Sequence, residues 1–287
     1  MISINNNIAA MAVLNNIDKT SNQMNKTLEQ LSSGYRINNA SDGAAEYAIV
    51  SKLIAQKGSL GAAQNNTAQA TAMVKMADGA ATQIQTMVER LKTLATTAAS
   101  ANTASELAPL EAERVKLETQ ITNIAQSITY NGKKLLDGTG GASTFQVGAN
   151  NTAADQVTVA FNNAYDSTTL GLGVAQAPIV AGVMTATAGT FATQTDAQAY
   201  MATLDTALNT VIQQRADLGS TVNVLGFVSS NLSTSISQLG QSISSIRDAD
   251  MAKLTSDKAK FQVMQQAQMS MLVQSNQSAK NLMTLFR

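Results

Sequence analysis

The chain has 287 residues, with 19 Lys and Arg against 19 Asp and Glu, and only 13% of its residues are charged. It contains no Cys, His or Trp, which excludes disulfides, imidazole general bases, Cys nucleophiles and the ordinary zinc, iron–sulfur and His-ligated haem sites. A neutral chain without a basic block also lacks the phosphate-neutralising charge that nucleic-acid binding rests on.

The first residues hold one clean apolar run, Ile8 to Leu14, far short of the roughly 20 residues that a membrane-spanning helix requires. The first cation is Lys19, after that run, so neither membrane insertion nor a cleaved secretory leader is expected. Residues 1–33 carry a thin helical seam of Leu14, Ile17, Met24, Leu28 and Leu31, and a polar break follows at 38–43. From Ile49 a longer seam runs through Leu53, Gln56, Leu60, Ala63, Thr67, Ala70, Val74, Ala77, Ala81, Ile84, Val88, Leu91, Ala95 and Ala98. Its alanines predict close helix–helix approach.

Pro109 and Pro178 are the only prolines, so residues 1–108 and 179–287 hold none to interrupt a helix. A third helix is predicted after Pro109, with Leu110, Leu117, Ile121, Ile124 and Ile128 on one side, ending at the turn signal Tyr130-Asn131-Gly132. In residues 143–175, Phe145 and Val147, then Val157, Val159 and Phe161, alternate with polar neighbours around Gly148 to Asn151, which predicts a β-hairpin. Residues 176–195 are uncharged and rich in Ala, Thr and Gly, and read as a short surface loop or small hairpin.

The clearest helix is predicted over 199–246. Leu204, Val211, Leu218, Leu225, Leu232, Leu239 and Ile246 recur every seven residues, a narrow stripe that calls for partner helices of comparable length. Arg247 to Asp250 form a second polar break, with Asp248 and Asp250 read as helix-boundary caps. Residues 254–287 carry a last seam of Leu254, Phe261, Met264, Met271, Leu282 and Leu285. Neither terminal helix can bury its stripe alone, and a lone helix draws little stability from propensity. Both ends are therefore expected to be poorly ordered in the monomer and to fold when neighbours supply the missing surface.

These ends resemble a known family. Ile4-Asn5-Asn6-Asn7-Ile8-Ala9-Ala10, Leu31-Ser32-Ser33-Gly34-Tyr35-Arg36-Ile37-Asn38 and Ala40-Ser41-Asp42-Gly43-Ala44-Ala45 are similar to the N-terminus of bacterial flagellin. Ser245-Ile246-Arg247-Asp248-Ala249-Asp250 and the run from Gln265 to Arg287 are similar to its C-terminus, and Tyr130 to Gly138 and Phe145 to Asn150 fit inside it. Three positions depart: Asp42-Gly43 stand where two acidic residues are common, Glu46-Tyr47 where Gly-Leu is common, and Tyr35 where Leu is common.

The resemblance implies a mainly α fold, a long coiled-coil bundle with a small β-hairpin region and terminal helices that form the inner filament core. It implies an inner-tube helix at 1–42 and the N-terminal part of an outer-tube bundle with its hairpin at 43–175. A short variable insertion follows at 176–196, then the C-terminal bundle helix at 197–247 and the second inner-tube helix at 248–287. The implied function is non-catalytic: a secreted subunit that polymerises with itself into the open helical filament of the extracellular bacterial flagellum and supports swimming. Implied too are unfolded export by the flagellar type III route, a chaperone on the C-terminus, and contacts with filament-cap and hook-associated proteins. No cofactor or metal is implied.

The residues carrying assembly are taken to be Leu14, Ile17, Met24, Leu28, Leu31, Phe261, Met264, Met271, Leu282 and Leu285. The resemblance also points to a contact patch for an animal Toll-like receptor at Arg90, Leu94 and Glu113. The spacing places Arg90 and Leu94 on one helix face; alternatively, Leu94 is bundle packing and Arg90 with Glu113 a solvated pair. Two other functions stay open at this point: a hook–filament junction protein, and a host-facing ligand or adhesin.

Overall fold

Good helix formers dominate both halves of the chain, and five helices carry the architecture of the described residues. The computed structural model describes residues 7–100, 103–161, 164–166, 169, 170, 172, 191 and 193–285, the side chains of 104 and 279–285 excepted. The helices are α1 (Ile8–Ser33), α2 (Ala44–Ala98), α3 (Ala104–Ser127), α4 (Gln194–Arg247) and α5 (Met251–Leu285). Between α3 and α4 lie the strands β1 (Thr129–Tyr130), β2 (Lys133–Lys134), β3 (Gly141–Gln146) and β4 (Gln156–Phe161). Most of the expected 176–196 insertion lies outside the described residues.

Two compact units result, residues 58–236 and residues 1–57 with 237–287. In the first, the inner face of α2 runs from Leu60 through Ala63, Thr67, Ala70, Val74, Ala77, Ala81, Ile84, Val88, Leu91 and Ala95 to Ala98, all buried. Opposite it, α4 buries Leu204, Val211, Leu218, Leu225 and Leu232 at the predicted seven-residue interval, joined by Ala197, Tyr200 and Ala207. Each large apolar side chain buried this way contributes roughly 1.5–3 kcal/mol. At the start of α2 the predicted seam is one position out of phase: Ile49 is exposed, and Val50 takes the buried place.

Pro109 does not separate two helices. It sits inside α3, which starts five residues earlier. The start is set by a capping box, in which the Thr103 N–H donates to Glu106 Oε2 at 2.7 Å. The inward axis of α3 also differs from the predicted stripe. Its buried residues are Leu107, Arg114, Glu118, Ile121 and Ala125, while Leu110, Leu117 and Ile124 are half-buried beside them.

The turn signal at Asn131-Gly132 is a two-residue hairpin joining β1 to β2, with φ of 49° and 77° at the two positions. Both lie in the left-handed region that this turn demands. In the second hairpin Phe145 pairs with Val157, and Ser143 with Val159. The predicted alternation holds: Val147, Val159 and Phe161 are buried, and Val159 and Phe161 join the bundle core together with Leu135 and Leu136.

Candidate assembly surface

Within the other unit, α1 and α5 pack against each other in opposite directions. Asn7 meets Ser275 at one end, and Tyr35 bridges to Asp248 at the other. Asn7 caps α1 by accepting from Ala10 N at 3.1 Å, and Gly34, at φ 74°, ends it. Asp250 starts α5 by accepting from Ala252 N at 2.9 Å and Lys253 N at 3.1 Å.

The seam between the two helices is partly polar. On α1 the least exposed line is Ala10, Val13, Ile17, Thr20, Met24, Thr27 and Leu31, stepping by three and four. On α5 it is Leu254, Lys258, Phe261, Gln265, Gln268, Leu272 and Ser275. Thr20 and Thr27 are the two buried side chains in its middle, and each hydroxyl donates back to its own helix, to Asn16 O at 2.9 Å and Gln23 O at 2.8 Å. Gln268 donates to Thr20 Oγ1 at 2.9 Å, while its own Oε1 is buried without a partner.

Further apolar residues stand outside the seam. Ile8, Met11, Leu14 and Leu28 are exposed on α1. On α5 the same is true of Met251, Val263, Met264, Met269, Met271 and Val273, with Met271 62% and Val273 67% exposed. Ile17, Met24, Leu31 and Phe261 from the predicted set lie on the seam. Leu14, Leu28, Met264 and Met271 do not: each is one residue beside a seam position and faces outward. Leu282 and Leu285 fall in α5, their side chains outside the described ones. The sequence reading missed Thr20, Thr27, Gln265 and Gln268 because it sought apolar residues only; their three- and four-residue steps were the available signal.

The polar breaks form a tied junction. Arg36 N donates to Arg247 O at 2.7 Å, and Ala249 N to Gly34 O at 3.0 Å. The Arg36 guanidinium donates to Ile246 O at 2.7 Å. Arg247 lies 3.9 Å over the Tyr35 ring, a contact that Leu at this position would not make. Asp42 pairs with Lys26 at 2.8 Å and accepts from Asn38 N and Asn39 N at 3.1 Å each. Lys26 first, then the Asn39 and Asn38 amides, hold its carboxyl below the usual range.

The second predicted patch divides. Arg90 Nη2 pairs with Glu113 Oε1 at 2.8 Å, and both side chains face solvent. Leu94 is 3% exposed and belongs to the bundle core. Next to Glu113 on α3, Arg114 centres a largely buried cluster that the sequence reading did not find. Arg114 pairs with both Glu111 and Glu118 and lies 5.9 Å from the Phe191 ring and 5.7 Å from the Tyr200 ring. The Tyr200 hydroxyl donates to Glu118 Oε1 at 2.5 Å, and Phe191 N to Glu111 Oε2 at 2.9 Å. Burial pushes the Glu118 carboxyl up to about 7, against the lowering pull of Tyr200 and Arg114. Among the described residues, no group of three or more acidic side chains could hold a metal ion, and no helix is long and apolar enough to cross a membrane.

Comparison with known proteins decides what this architecture is. Residues 4–140 match the bacterial flagellin N-terminal helical region, and residues 201–286 the bacterial flagellin C-terminal helical region. The flagellin of Bacillus subtilis is 35% identical to this chain, with 99% of each covered. The chain belongs to the bacterial flagellin family. The flagellin of Halalkalibacterium halodurans is 31% identical and flagellin FlaB1 of Treponema pallidum 30%, each again with 99% of both chains covered. As a flagellin it is a structural subunit of the extracellular flagellar filament, and that family is not an enzyme family. The two flagellin regions hold α1 and α5 respectively, so the surface described above is part of a self-polymerising chain.

Proposed function

We propose that the α1–α5 pair is the assembly element of the subunit and that its outward apolar residues bury against copies of the same chain. The observation that carries this is the apolar surface left open: Thr and Gln take up seam positions among Ile17, Met24, Leu31 and Phe261, while Ile8, Leu14, Val263, Met269, Met271 and Val273 stand exposed outside it. Exposed apolar surface of this kind marks an interaction site. Copies joined by different surfaces extend without closing, which yields an open helical polymer. The predicted set of Leu14, Ile17, Met24, Leu28, Leu31, Phe261, Met264 and Met271 then has two duties. The seam members hold α1 to α5, and the outward members bind the next subunit.

In this reading residues 1–42 and 248–287 form the inner tube. Residues 43–175 and 197–247 form the surrounding bundle, and 176–196 the variable surface. Export runs unfolded through the flagellar type III route. An export chaperone covers the apolar face of α5 before assembly, and filament-cap and hook-associated proteins meet the same face at the filament ends. A Toll-like receptor contact would rest on the exposed Arg90–Glu113 pair, because buried Leu94 has almost no side-chain surface to offer. Removal of residues 248–287 tests the assembly reading. The truncated chain is expected to keep a helical circular dichroism spectrum and to form no filaments in negative-stain micrographs. Normal filaments would sink it.

A further inference from the structure

The open face of the terminal pair is rich in one particular side chain. Met11, Met251, Met264, Met269 and Met271 are all exposed; in the bundle Met73 is 3% exposed, and Met76, exposed on α2, belongs to the bundle rather than the terminal pair and serves as an internal control. Met264 and Met271 are seven residues apart on α5, two helical turns along one face. With no Cys anywhere in the chain, thioethers are the side chains most open to peroxide attack. Flexible methionine suits a surface that must pack against copies in slightly different ways, but its sulfur carries a chemical liability that Leu lacks.

We infer that these methionines are an oxidation-sensitive modification site controlling whether the free subunit can polymerise. The co-reactant is a hydroperoxide. The methionine sulfur attacks the outer peroxide oxygen, the S–O bond forms as the O–O bond breaks, and the other oxygen leaves as water or an alcohol after taking the proton. Sulfur is oxidised by two electrons and the peroxide reduced by two. The product is a polar sulfoxide in place of an apolar thioether. Burying it between copies without a hydrogen-bond donor is unfavourable. The switch acts on the free subunit, because in a filament the same sulfurs are covered. The inference rests on the assembly reading above.

The test treats full-length monomer with hydrogen peroxide, removes the peroxide with catalase, maps oxygen uptake by peptide mass spectrometry and measures seeded polymerisation. Met264, Met269 and Met271 are expected to oxidise ahead of Met73, and the critical concentration to rise at least about tenfold, the loss of roughly one buried side chain. Methionine sulfoxide reductase with a dithiol restores assembly, returning the sulfoxide oxygen as water while the dithiol becomes a disulfide. A variant carrying Met11→Leu, Met251→Leu, Met264→Leu, Met269→Leu and Met271→Leu assembles equally well before and after peroxide. Unchanged polymerisation of wild type oxidised at these positions overturns the inference, as does equal inhibition of the Leu variant. Should that variant fail to polymerise untreated, recovery of oxidised wild type by the reductase supports the inference, and no recovery refutes it. Failure of the assembly reading looks different: the chain lacking 248–287 would form filaments irrespective of peroxide.

Discussion

Thr20 and Gln268 lie 248 residues apart in the chain and meet across the terminal helix pair, the Gln268 amide donating to the Thr20 hydroxyl at 2.9 Å. A polar contact in a two-helix seam specifies register at a cost in stability. Here the cost includes a buried Gln268 Oε1 with no partner.

Replacing both partners, Thr20→Val with Gln268→Leu, removes that orphan and adds apolar contact. The expected result is a pair more stable by about 1–3 kcal/mol. Hydrogen exchange of α1 and α5 amides in the monomer measures it. Wild type is expected to exchange fast in both helices and the double variant several-fold slower. Slow exchange in the wild-type monomer would contradict a termini-fold-on-assembly mechanism.

Glu118 makes stability depend on pH in an unusual direction. Its side chain is 1% exposed, and burial raises its carboxyl from 4.5 to about 7. Between those values the native state keeps a proton that the unfolded chain has released. Its contribution is therefore present at the acid end of that window and lost as pH rises through it, an effect of about 3 kcal/mol. Glu111 and Asp137 act oppositely, their carboxyls held low, so their contribution is lost only as the pH falls further. The melting temperature should rise from pH 8 to pH 5.5, and Glu118→Gln should flatten that rise. An unchanged pH slope in the variant would show that another group is responsible.

Removing the cation of the same cluster has a simpler result. Arg114→Met leaves buried Glu118 and half-buried Glu111 without their counter-charge, and loss of one partner of a buried pair costs about 3–5 kcal/mol. Denaturant titration of the bundle unfolding transition reads this directly. By contrast, Arg90→Ala with Glu113→Ala breaks a solvent-facing pair and should change stability by less than about 1 kcal/mol. That variant therefore tests receptor signalling on a folded subunit.

Two glycines should respond in opposite senses to Ala. A Cβ at Gly140 would lie 2.3 Å from the Lys134 carbonyl oxygen, a backbone atom that cannot step aside. Gly79 sits in α2 with open space around it. Gly140→Ala should destabilise the bundle by several times the roughly 1 kcal/mol by which Gly79→Ala stabilises it. Thermal melts of the two variants decide the matter.

Much of the fold was legible because burial and periodicity coincide where a stripe is apolar. Leu204, Val211, Leu218, Leu225 and Leu232 face the core at the interval their spacing announces. Val159 and Phe161 turn inward as strand alternation requires, and Asn131-Gly132 forms the turn its composition demands. Legibility failed where polar residues are buried. Arg114 and Glu118, four apart on a helix, look like a solvated pair until Phe191 and Tyr200 close over them from distant sequence.

The sequence by itself determined the long helices, the α2 and α4 stripes, the longer hairpin, the Asn131-Gly132 turn and the family, since each is written in local spacing or contiguous motif. Only the tertiary structure decided which way the terminal stripes face. Leu14 and Thr20, or Met264 and Gln268, compete for one helix surface, and the partner helix alone settles which is enclosed. It encloses the threonine and the glutamine, where a hydrogen bond joins the two helices, and leaves the leucine and the methionine exposed.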